Sequence, residues 1–182
     1  MKQLLTFLFL TAFVVAASAQ KQFTKTGHIW FYSEAPLETI EAHNYQSTGI
    51  LNTATGEMVF KVTMTAFQFK KALMQEHFNE KYVESDRFPE SIFKGKIMNL
   101  DKVNFAKDGA YSVVVEGSLT IHNVTNSVKA PGTINVKSGK IYATSLFTVA
   151  VADYNIAIPA AVKDNIAKTI DIHVDISYEP MP

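Results

Sequence analysis

The chain has 182 residues, with 17 basic and 17 acidic side chains, five His and no Cys. This balance leaves no electrostatic footprint for nucleic acid or an anionic membrane surface, and no nucleic-acid partner is expected. Without Cys there is no disulfide, and burial alone has to hold the core; thirteen Phe and seven Tyr supply much of the apolar bulk.

Taken from the start, Lys2 precedes an uncharged apolar run at residues 4–17 (LLTFLFLTAFVVAA), and Ala17-Ser18-Ala19 follows as a small-x-small triplet. That pattern predicts an export leader over residues 1–19, cleaved between Ala19 and Gln20, and a periplasmic or secreted product. The run is shorter than the about 20 apolar residues of a comfortable membrane span. No Cys follows it, which argues against a lipid-anchored product. Residues 20–182 then form one domain.

Period-2 alternation dominates that domain and predicts an all-β fold. Short alternating stretches occur at Ile29/Phe31/Ser33 and around residues 45–51. Met58, Phe60, Val62 and Met64 then share one face. Next comes the one break in pattern. Thr65-x-x-Gln68 matches a capping box, and Phe67, Met74 and Phe78 follow at i, i+7 and i+11, with Glu76, Glu80 and Glu84 spaced as a solvated face. A helix is expected here, ending before Pro89 because the residue ahead of proline avoids αR.

Strands resume at Phe93/Gly95/Ile97, with a weak one at residues 99–105. Strong faces follow at Tyr111, Val113, Val115, Gly117, Leu119 and Ile121, then at Ile134/Val136, then at Ile141, Ala143, Ser145, Phe147, Val149 and Val151. A short helix is expected near residues 160–167. The cleanest strand comes last, with Ile170, Ile172, Val174, Ile176 and Tyr178 on one side and Thr169, Asp171, His173, Asp175 and Ser177 on the other. Thr55-Gly56, Asp108-Gly109 and Ser138-Gly139 supply hairpin turn chemistry. Eight or nine antiparallel strands with one apolar face each point to a barrel or a deep sandwich.

Catalytic signatures are sparse. There is no Cys nucleophile, no G-x-S-x-G elbow and no glycine-rich phosphate loop. Glu76, His77 and Glu80, backed by Glu84 and Asp86, form the one cluster with metal-ligand spacing; the plainer reading is a solvated helix face. An eight-stranded barrel is wide enough to be filled by side chains or to hold one small ligand. Small inward residues such as Gly117, Ala143 and Ser145 suit either taper packing or a void.

Two segments carry a resemblance. Residues 77–97 (HFNEKYVESDRFPESIFKGKI) contain His77, Phe78, Tyr82, Asp86, Phe88-Pro89 and Phe93 in order, and residues 115–132 (VEGSLTIHNVTNSVKAPG) contain Gly117, Leu119, Thr120, Val124 and Thr125. Both are similar to motifs of the YceI-like family of bacterial polyisoprenoid-binding proteins. Asp153-Tyr154-Asn155-Ile156 is a fainter match. Asn123 stands where the family has a turn glycine, and Ser33 is shifted from the family's opening pattern.

The resemblance implies a lipocalin-like antiparallel β-barrel of about eight strands with a short helix near one mouth. It implies a long apolar ligand, an isoprenoid or quinone-type lipid, held in a tunnel without cofactor, metal or catalysis. The inward faces then nominate Phe60, Val62, Met64, Met74, Phe78, Val113, Val115, Gly117, Ala143, Ser145, Phe147 and Val149 as its lining. A packed-barrel interaction module for a membrane-protein partner is the alternative, and a metal-dependent enzyme at Glu76/His77/Glu80 the third; transient contact with a membrane or a membrane protein is a further expectation. Phe88-Pro89, Thr120 and Thr125 are expected to be structural.

Overall fold

The computed structural model describes residues 21–181, so the expected leader and cleavage site lie outside the described residues. The strands are β1 (Lys21–Glu34), β2 (Thr39–Asn52), β3 (Glu57–Thr63), β4 (Gln68–Phe69), β5 (Glu90–Ile97), β6 (Gly109–Ile121), β7 (Val124–Lys137), β8 (Lys140–Ala150) and β9 (Thr169–Pro180). One helix, α1 (Ala72–His77), sits between β4 and β5. Hydrogen bonding runs β1-β9-β8-β7-β6-β5-β3-β2 and returns to β1, every junction antiparallel. Eight strands thus close a barrel, and closure removes the exposed edges of an open sheet. The two-residue β4 lies along β2 at Ala42 and His43.

The turns follow from residue type. Ser138 and Gly139 have φ of 52° and 75°, and His122 and Asn123 have 50° and 60°. Two consecutive positive φ values make the tight turn whose twist matches a hairpin. Asn123 replaces a glycine there at little cost, since Asn tolerates the left-handed region. Asp108 plays a different part from the expected turn. Its carboxylate accepts the Ser138 N–H at 3.0 and 3.1 Å, tying the β6 start to the β7–β8 hairpin.

Three expected elements differ. Residues 99–105 are not a strand, because the Asn99 amide takes the backbone groups a strand would need: its Oδ1 accepts from Val114 N–H at 2.9 Å and its Nδ2 donates to Ser112 O at 3.0 Å. The chain turns there into a 3-10 helix, Leu100–Lys102. The capping box does not form either. Met64–Ala66 is a 3-10 turn without a side-chain cap, and residues 68 and 69 are drawn onto β2, so the helix starts only at Ala72. It runs on as a π-helical turn, Phe78–Tyr82, and does end before Pro89. Near residues 160–167 there is a single 3-10 turn, Ala160–Val162.

The two barrel ends are built differently. At one end the short β2–β3 and β7–β8 turns close over Leu51, Met58, Ile97, Ile141, Ile176 and Tyr178, with Leu100, Val103 and Phe105 packed against them. At the other end lie the two long connections, residues 64–89 and 151–168. Outside, across β2, β1 and β9, the rings of Tyr45, His28, Trp30 and His173 stack in a column at 4.3, 4.3 and 4.8 Å.

The β7–β8 wall junction is incomplete, as the β2–β3 one is beyond Thr48↔Lys61. The β7–β8 register runs from Lys137↔Lys140 to Gly132↔Ser145 and stops. The pair that closes the hairpin places the odd-numbered β7 residues with their backbone groups toward β8. Pro131 is the next of these, and it has no N–H to give. Beyond it β7 pairs only with β6 and β8 only with β9.

Candidate functional site

A cavity of about 480 Å³ occupies the barrel interior. Its wall is mainly aliphatic and aromatic. Eleven of the twelve nominated residues line it: Phe60, Val62 and Met64 from β3 and the turn after it, Met74 from α1 and Phe78 just beyond it, Val113 and Val115 from β6, and Ala143, Ser145, Phe147 and Val149 from β8. Gly117 does not. It pairs with Gly95 across the β5–β6 junction, and the Phe93 ring lies where side chains at these two positions would stand. The small residue there serves a close packing contact, and Phe93 faces the cavity in its place.

Among the lining residues that sequence reasoning left out, two groups contrast. Ile170, Ile172, Val174 and Tyr178 come from the face of β9 that the alternation had already marked as apolar. Val151, Tyr154, Ile156, Ile158, Val162 and Ile166 come from the connection between β8 and β9, where no periodicity flags them. The cavity also reaches Thr133 and Thr144, a pair beside the incomplete β7–β8 junction. An interior with this much unfilled apolar space is not that of a packed barrel.

The mouth is roofed by α1 and its flanks. Phe78 is the hub, with ring centroids 5.1 Å from Phe69, 5.5 Å from Phe67 and 5.7 Å from Phe31. Phe67 was expected on the helix; it is buried on the chain leading into it. Leu73 is 60% exposed, so the outer side of α1 meets solvent while Met74 turns inward.

Ion pairs hold the roof at both ends. On the leading side Lys70 meets Glu41 at 3.1 Å and Lys71 meets Glu38 at 2.7 Å. Glu41 is held down at about 2, first by the Tyr32 hydroxyl and then by Lys70. On the trailing side Glu84, strained at φ 45°, receives His122 Nε2 at 2.8 Å and Arg87 at 2.6 Å. His122 Nδ1 lies 3.1 Å from the Tyr154 carbonyl, and the Phe88 ring sits edge-on to the imidazole at 4.7 Å.

The three resembling segments therefore meet at one point through Glu84, Phe88, His122 and Tyr154. Thr120 and Thr125 share a hydrogen bond of 2.8 Å across the adjoining hairpin. These residues build the rim of the mouth.

His122, and after it Arg87, holds the Glu84 carboxyl below its ordinary value of 4.5. A depressed carboxylate contributes stability above the unfolded value, and that contribution is lost as pH falls through the folded one. Glu84→Gln should accordingly be less stable than wild type at pH 6, with the gap closing below about pH 4. Urea midpoints at the two pH values measure this; an equal gap at both would remove the carboxylate from the explanation.

The cluster with metal-ligand spacing does not assemble. Glu76 and Glu80 are exposed, His77 turns to the cavity, Glu84 is committed to His122 and Asp86 is exposed. Among the described residues no group of three or more His, Asp or Glu is placed to hold a metal ion.

A closed eight-stranded barrel with an apolar interior and a short roofing helix can be compared with known proteins. A family model described as a YceI-like domain matches residues 13–178. The chain belongs to the YceI-like family. Among solved structures, a polyisoprenoid binding domain from Saccharophagus degradans, implicated in plant cell wall breakdown, is 13% identical with a TM-score of 0.76, covering 89% of this chain and 99% of that one. BcnA of Burkholderia cenocepacia is 12% identical with a TM-score of 0.68, covering 89% and 98%. The YCEI protein of Campylobacter jejuni is 13% identical at 0.55, covering 76% and 82%. Identities this low establish a shared YceI-like fold alone. No curated protein matches the chain.

Proposed function

We propose that this chain is an exported carrier that holds one long apolar molecule of isoprenoid or quinone type, and that it performs no catalysis. The observation that carries this reading is the cavity itself. About 480 Å³ lies within the usual range of ligand pockets, and its wall is apolar apart from a few groups. It is deep for its volume. Ile170 and Tyr178 both line it, and eight residues along one strand rise roughly 26 Å at about 3.3 Å each. A slender chain fits such a space better than a compact molecule. Burial at about 25 cal/mol per Å² would retain it without a charged anchor. The name of the Saccharophagus degradans domain, a polyisoprenoid binding domain, agrees with that choice. The leader over residues 1–19 supports delivery to the periplasm or beyond, where transient contact with a membrane would let the ligand enter.

The test is organic extraction of protein purified without detergent from the periplasmic fraction, followed by mass spectrometry of protein and extract. A mature chain beginning at Gln20 and one prenyl lipid near equimolar amount are expected. Absence of any stoichiometric lipid would sink the carrier reading, and a retained leader would sink export.

Met74 gives a kinetic check. It faces the cavity from a helix whose outer side is solvated, and Met adapts to a contact that has to part. Met74→Ala should speed exchange of bound lipid severalfold while costing under about 2 kcal/mol, less than a deep-core Met would. Stopped-flow transfer to acceptor vesicles measures the first and chemical unfolding the second.

A further inference from the structure

Polar groups stand at both ends of the cavity. Glu38, His77 and Tyr82 line it at the mouth, near solvent. At the opposite end is Tyr178, 2% exposed, paired with Ile141 beside the β7–β8 hairpin and 6.4 Å from the Phe60 ring. Burial is the one influence on its hydroxyl, with no side-chain hydrogen bond beside it, and it pushes the group far above the ordinary tyrosine range. It is a neutral O–H at any pH the protein meets. Leaving such a group unpaired in an apolar interior is costly. A Phe, of the kind already present at Phe60 and Phe93, would fill the same floor without that cost.

We infer that Tyr178 hydrogen-bonds the deep end of the bound ligand, so that the cavity takes a long apolar chain ending in an uncharged oxygen (an alcohol or a ketone-type carbonyl), inserted oxygen first. This rests on the carrier reading above and adds an orientation and a head-group class to it. Charged ends are disfavoured at the same spot. The lining contains no Lys or Arg, so a phosphate or carboxylate carried to that depth would lose its hydration with no counter-charge to replace it.

The test uses the delipidated mature chain and Tyr178→Phe, each titrated with geranylgeraniol, the saturated hydrocarbon of the same skeleton, and geranylgeranyl diphosphate, read by displacement of an apolar fluorophore. Wild type is expected to bind the alcohol about three- to tenfold more tightly than the hydrocarbon, the range of one net hydrogen bond. The diphosphate should bind more weakly than the alcohol. Tyr178→Phe should erase the alcohol's advantage and leave the hydrocarbon within twofold. An advantage that survives the Phe substitution, or equal losses for alcohol and hydrocarbon, would overturn the role of the hydroxyl and leave the carrier intact. A wild type that discriminates against neither hydrocarbon nor diphosphate would overturn it without any variant. Failure of all three to bind would bring down the carrier reading and this inference together.

Discussion

Ala143→Phe should empty the barrel of lipid while leaving the fold within about 1 kcal/mol of wild type, as tolerated apolar substitutions do. Ala143 sits on the inner face of β8, paired with Ile134 and Ile176, and borders the cavity. In a filled interior a ring added there would force its neighbours off their rotamers, at about 1–3 kcal/mol. Here the ring enters space the ligand would occupy, and its own burial offsets part of any strain. Ser145, two residues on, is a poorer place for the experiment. Its hydroxyl donates to the Pro131 carbonyl at 2.6 Å, so replacing it removes a hydrogen bond as well as adding bulk. Lipid recovered on extraction and the urea midpoint together decide the matter: a loss above about 2 kcal/mol would mean that the space cannot accept a ring.

Gly117→Val should do the reverse, destabilising the fold without touching the ligand space. Valine ordinarily favours a strand, by a spread of up to about 1 kcal/mol. At Gly117, however, a Cβ would run into the Lys94 carbonyl, the Gly95 backbone and the Phe93 ring. Two of those three are main chain and cannot rotate away. Overpacking wins, and we expect at least about 3 kcal/mol of destabilisation. For a domain of this size that lowers Tm by about 6–12 °C. Thermal unfolding followed by circular dichroism measures it, and a variant within 1 kcal/mol of wild type would show that β5 and β6 can separate at this point.

These two residues also show what alternation can and cannot convey. The period-2 pattern placed Ala143 and Gly117 alike on inward rows, and both do lie on inner faces. Which small side chain leaves a void and which admits a neighbouring ring depends on the strand across from it, and Phe93 is more than twenty positions away in the chain. The β9 face was legible for the same reason as β6 and β8, since one-sided burial imposes strict alternation. The approach to α1 was not. Phe67 and Phe69 alternate as a strand does, yet Phe67 with Met74 and Phe78 also fits a helical spacing, and only pairing with β2 decides between the two. The loop that roofs the other side of the mouth carries its inward residues at irregular intervals, because loop backbone has no period to display. The resembling motifs were readable as a family signature, but their convergence on His122 is a property of the closed barrel.

The incomplete junction at Pro131 gives the wall a direction of give. From their place in the β6–β7 hairpin, Asn126, Val128 and Ala130 have their N–H groups engaged with β6. Those of Thr125, Ser127 and Lys129 point across a gap where β8 offers no partner. Amide exchange along this single strand should therefore alternate, fast at 125, 127 and 129 and slow at 126, 128 and 130. A cylinder with such a slit can widen by parting this line of unjoined edges while the ladders of its other junctions stay paired. Its girth is then adjustable beside the cavity, just past the last pair at Gly132 and Ser145, so chains of differing thickness could be accommodated without cooperative unfolding of the sheet.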